Sequence, residues 1–108
     1  MSATAPLRVP VELRRAGSGT ATASGAAAPR WFRTARGISV EGLRFAVSVP
    51  DDLDGPLEVR FHLPEDPAPV TAAARVEGAE RRGARFLTLE AEARLRIARY
   101  VEERLMTE

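Results

Sequence analysis

Apolar residues alternate with polar ones in six short runs of this chain, and then the period changes. Leu7, Val9, Val11 and Leu13 alternate with Arg8, Pro10, Glu12 and Arg14, the pattern of a strand with one wet face. Pro10 has no amide hydrogen to donate, so this strand is expected to follow an edge or to leave that side unpaired. Residues 29–36, carrying Trp31 and Phe32, predict a second strand, and Leu43, Phe45, Val47 and Val49 predict a third. Leu57, Val59, Phe61 and Leu63 mark a fourth, residues 70–76 a fifth and 84–89 a sixth. Stretches dense in turn residues separate them, at 37–42, 50–56, 64–69 and 77–83. From Leu89 the apolar positions Leu89, Ala93, Ile97, Tyr100, Val101 and Leu105 fall on one helical face, which predicts an amphipathic helix over 89–106. Glu90 with Arg94, and Glu92 with Arg96, are acid-before-base pairs one turn apart on its wet side. Short strands closed by a helix make a mainly β fold, a six-stranded antiparallel barrel with a C-terminal α-helix.

A chain of 108 residues suits one domain, read here as residues 7–108 behind a flexible arm at 1–6. Residues 16–28, AGSGTATASGAAA, hold no side chain large enough to anchor them and predict a flexible loop. Sixteen basic side chains against fifteen acidic ones leave no global field to draw in nucleic acid. The absence of cysteine removes disulfides, thiolate chemistry and cysteine-based zinc sites, and His62 stands alone, so no metal site is expected. Asp51, Asp52 and Asp54 read as a loop. Nothing near the start has the length of a signal-peptide core or a membrane span, and the expected location is the cytoplasm.

Catalysis finds no support. Ser39 has no histidine and acid placed in sequence to activate it, and no glycine-rich loop leads from a strand into a helix. Trp31 and Phe32 beside Arg30, Arg33 and Arg36 could stack and hold bases. With aromatics at only 6%, a core or barrel-mouth role fits them better, and nucleic acid is not the expected partner.

The stretch Gly37-Ile38-Ser39-Val40-Glu41-Gly42, opening into a strand, resembles a signature of the PilZ family, in which Asp or Asn is followed at fixed spacing by Ser and Gly. The strand order, the Arg85-Phe86-Leu87 segment and the helix ending in Tyr100-Val101-Glu102-Glu103-Arg104 extend the likeness from about Leu7 to Leu105. The resemblance implies a PilZ-type barrel acting as a non-enzymatic regulatory module in bacterial signalling by cyclic di-GMP. It also implies a nucleotide site: Arg8 toward phosphate or base, Ser39 toward the base, Gly42 permitting the turn. Two positions depart from the family. Its paired arginines stand four apart, and the partner of Arg8 falls on Thr4; the acidic or amide position is Gly37. Each loss of a charged hydrogen bond costs about 1.5–3 kcal/mol, so cyclic di-GMP is expected to bind weakly or not at all. No other cofactor is implied. The function expected is then docking to a protein partner, through the barrel or through the stripe Ile97, Val101 and Leu105. Two alternatives stand beside it. One is a true receptor in which Arg8, Arg14 or Arg15 serves with Ser39 and the arm folds over the ligand; the other is an oligonucleotide-binding barrel. Arg81 and Arg85 also stand four apart but read as solvated hairpin charges.

Overall fold

The alternating runs become strands with their apolar side mostly inward, the first interrupted and the third cut short. The computed structural model describes residues 4–15, 30–50, 53 and 55–106; the loop predicted at 16–28 and Asp51, Asp52 and Asp54 lie outside the described residues. The strands are β1 (Ala5–Pro6), β2 (Pro10–Arg15), β3 (Trp31–Ser39), β4 (Gly42–Phe45), β5 (Pro56–His62), β6 (Pro69–Glu77) and β7 (Gly83–Thr88), followed by helix α1 (Ala91–Met106). Every pairing is antiparallel. The order β3-β2-β5-β6-β7-β4 closes when β4 returns to β3, giving a six-stranded barrel that leaves no long open edge.

The strand outside this ring of six, β1, leads into β2 along the same neighbour, β3. Ala5 and Pro6 pair with Ile38 and Gly37, and Pro10 resumes opposite Thr34 after a one-residue slip. Leu7 N–H donates to the Arg36 carbonyl across that break. The last two residues of the predicted arm are therefore part of the sheet, and Ala5 is fully buried. Pro10 opens β2 and lies ahead of its pairing with β5, which begins at Glu12, so no ladder bond is lost there.

The core collects Val11 and Leu13 from β2, Ile38 from β3, Leu43 and Phe45 from β4, and Leu57, Val59 and Phe61 from β5. The predicted third strand ends early. Its pairing with β3 stops near Phe45, the chain bends, and Val47 points to solvent at 59% exposure. Val49 and Leu53 regain the core because the loop folds back onto the β6–β7 turn. Arg81 holds it there: its guanidinium donates to the carbonyls of Val49, Pro50 and Leu53 at 3.1, 2.8 and 3.0 Å. The backbone joins in, Val49 N–H donating to the Arg81 carbonyl at 2.7 Å. Arg81, expected as a solvated charge, is thus a part-buried clamp, and its left-handed φ of 55° is stabilised by these bonds.

Helix α1 covers one end of the barrel. Ala93, Ile97 and Val101 face inward, and Tyr100 donates its hydroxyl to the Pro6 carbonyl at 2.9 Å, satisfying the outer edge of β1. The stripe expected to meet a partner is instead part of this chain's own core: Ile97 is 0% and Val101 7% exposed, and only Leu105, at 43%, stays accessible. A stripe of that width belongs to the apolar cluster that the barrel end must cover. Arg96, expected to pair with Glu92, reaches instead to Asp66 in the β5–β6 loop at 2.6 Å, and also donates to the Ala68 carbonyl. No described helix is long and apolar enough to cross a membrane.

Candidate functional site

The Gly37–Gly42 stretch is mostly strand. Gly37, Ile38 and Ser39 end β3, Gly42 begins β4 opposite Ser39, and only Val40 and Glu41 turn. Neither turn residue has the positive φ of the mirror-image hairpins that match strand twist unaided. The Ser39 side chain supplies the support. Its Oγ accepts the Glu41 N–H at 3.1 Å, and the residue is 9% exposed. The Glu41 carbonyl accepts Phe86 N–H at 2.8 Å, tying the turn to β7.

Gly42 is required by close approach. A Cβ there would lie 2.1 Å from the Ala84 carbonyl oxygen and 3.1 Å from Arg85 Cα. It sits where β4 is flanked by Ser39 on one side and Arg85 on the other, the strand pair that closes the barrel. Its φ is not positive, so the role expected for it, permitting the turn, gives way to permitting the approach of β7.

Gly37 faces the N-terminal segment. A Cβ at this position would stand 3.0 Å from Thr4 Cγ2 and 3.4 Å from the Ala5 carbonyl oxygen. The two positions where the sequence departs from the nucleotide motifs are therefore neighbours, and their departures fit one another. Arg8 is exposed at the break between β1 and β2 and does not line the hollow that contains Ser39.

That hollow, about 270 Å³, lies outside β3 and β4 and brings Thr4, Gly37, Ser39 and Gly42 together with Arg44 and Arg85. It adjoins a larger groove of about 740 Å³ that runs past β1 to the β6–β7 turn and adds Arg36, Arg82 and Glu80. Arg36 is there because β3 bulges: Ala35 and Gly37 oppose Phe45 and Arg44, leaving Arg36 as the extra residue. Sequence reading missed Arg36, Arg44 and Arg82 as a set, because nothing in their spacing shows that a bulge, a short strand and a distant turn meet.

Of the two aromatics Trp31 is half-buried, while Phe32, expected in the core or at the barrel mouth, stands 57% exposed. Trp31 packs against the core, Arg30 pairs with Glu12 at 3.3 Å, and Arg33 donates to the carbonyls of Ser48 and Phe32. His62 is exposed, as its place on the polar side of β5 predicts. The described residues hold no cluster of metal-ligating side chains.

A closed six-stranded antiparallel barrel followed by one helix, with the Ser39–Gly42 turn joining two of its strands, defines a class of small β-barrel domains. A scan against protein-family models matches the PilZ domain over residues 5–103, and the chain belongs to that family. A search of curated proteins found no match. Among solved structures, the chain is similar to the inhibitor of motility of Bacillus subtilis (MotI/DgrA), with TM-score 0.74 and 12% identity. That likeness covers all of this chain but 52% of the other, so the chain spans about half of that protein's length. It is also similar to the PilZ domain of CeSA from a cellulose-synthesizing bacterium, with TM-score 0.58 and 22% identity over 94% of this chain and 97% of that one. The expected six-stranded PilZ-type barrel with its C-terminal helix is the fold observed. PilZ domains are binding and regulatory modules of cyclic di-GMP signalling.

Proposed function

We propose that this domain is a non-enzymatic regulatory module of cyclic di-GMP signalling whose nucleotide motifs are degenerate and which works by contact with a protein partner. The observation that carries this reading is the packing of Thr4 against Gly37. The wall that would offer a second guanidinium and a guanine-reading carboxylate offers a methyl group and a glycine. Ser39 and Gly42 both have structural work of their own, in the turn and in barrel closure. Their presence adds little weight to a receptor. The similarity to an inhibitor of motility supports a regulatory role of this kind.

The test is calorimetric titration with cyclic di-GMP of the wild type and of a double variant, Thr4→Arg with Gly37→Asp, which completes both family motifs. The wild type should stay silent. The double variant should gain saturable binding, each restored charged hydrogen bond contributing about 1.5–3 kcal/mol, or roughly 10- to 100-fold. Saturable binding by the wild type, lost in Arg8→Ala, would make the domain a receptor with a rebuilt site.

A further inference from the structure

Two neighbouring strands and a turn distant in sequence deliver guanidinium groups to one groove. Arg36 comes from the β3 bulge, Arg44 from β4 and Arg82 from the end of the β6–β7 turn, and all three line the groove of about 740 Å³. All are exposed, and none of the three guanidinium groups has a hydrogen-bond or ion-pair partner among the described residues. Other arginines of this chain are also exposed and unpaired, Arg60, Arg75 and Arg99 among them, but they do not line the groove. Convergence singles these three out. All sixteen basic residues are arginine, so each of these charges is a planar fork that holds a carboxylate by two parallel bonds.

We infer that this groove docks an acidic peptide segment of the protein partner. The inference rests on the reading above that the domain acts through a partner, and it names the chemistry of that partner. The walls favour a peptide over a nucleotide. Glu77 and Glu80 also line the groove and would repel a phosphate diester, whereas a chain of separate side chains can set carboxylates opposite the arginines and small groups opposite the glutamates. The residue nearest the guanine-reading position, Gly37, has no side chain with which to select a base. Pro6 and Ala79, both exposed, supply apolar surface along the same groove, suited to aliphatic side chains between the acids.

Fluorescence anisotropy tests this with a fluorescein-labelled peptide of alternating Glu and Leu and its Lys and Leu counterpart as control. The wild-type domain should bind the acidic peptide saturably at physiological ionic strength and leave the basic one free. The triple variant Arg36→Gln, Arg44→Gln, Arg82→Gln should lose at least about tenfold in affinity, the expectation for broken charge-assisted bonds. The matched set Arg60→Gln, Arg75→Gln, Arg99→Gln removes the same charge elsewhere and should bind as the wild type does. Thermal melts of both sets verify that each variant is folded. Equal weakening in the two sets means attraction by net charge alone and overturns the groove. No peptide binding by the folded wild type also overturns it, while leaving the partner reading to be tested on other faces. Cyclic di-GMP bound by the wild type and released by the groove set overturns both.

Discussion

Ser39 shows how a single side chain can carry two readings. Its hydroxyl was legible in the sequence as a member of a nucleotide motif, and the structure has it accepting the Glu41 N–H inside a hairpin of two turn residues. Both readings need a small polar residue at the same place, so residue type alone could not separate them. Thr4 and Gly37 were each legible as a departure, but their contact was not, because it depends on β1 running beside β3. Gly42→Ala tests the structural account directly. The added methyl would meet the Ala84 carbonyl at 2.1 Å, which is too close for any rotation to relieve, and overpacking of this kind costs about 1–3 kcal/mol. Chemical denaturation should show that loss with no ligand present. An unchanged midpoint would mean that β7 has room to move.

At the scale of elements, the strands read well where alternation met a closed sheet and badly where it did not. Leu57, Val59, Phe61 and Leu63 were assigned to one buried side and are all buried there. Leu43, Phe45, Val47 and Val49 look identical as a pattern, yet Val47 is outside, because pairing stops at Phe45 and a loop carries Val49 home. The agent of that return, Arg81, lies some thirty residues away in sequence and carries no local signal of its role. Arg81→Lys keeps the charge but cannot reach three carbonyls with a fork. Hydrogen exchange should rise at Val49 and Leu53 in that variant while the β5–β6 ladder stays protected. The helix allows a second comparison. Ile97→Ala removes a fully buried side chain and should cost about 2–5 kcal/mol, whereas Leu105→Ala at a half-exposed position should change stability little. Equal, small effects would mean that the stripe does not belong to the core.

Over the whole molecule, one ion pair ties the helix to the β5–β6 loop, distant in sequence. The Arg96 guanidinium donates to Asp66 at 2.6 and 2.9 Å, and Ala68 N–H donates to the other carboxylate oxygen at 3.1 Å. Arg96 first, and then the Ala68 amide, hold the Asp66 pKa below the ordinary carboxylate value. The sign follows from linkage: a carboxyl depressed in the folded state contributes stability that is complete above its unfolded pKa and is lost as pH falls through the folded one. Melting temperature should therefore drop on acidification below about pH 4, the ordinary carboxylate range, and the drop should be shallower in Asp66→Asn. A variant that melts in parallel with the wild type down to low pH would show that other carboxylates carry the acid response.

The glycine at the barrel seam has a meaning beyond this chain. Barrel closure requires that Gly42 lack a side chain whether or not any ligand visits the wall above it. Selection for closure alone can therefore preserve that letter of the signature, much as a keystone stays whatever the traffic beneath its arch. In any homologue, retention of this glycine would speak for barrel closure, and messenger binding would have to be read from the residues that stand where Thr4 and Gly37 meet.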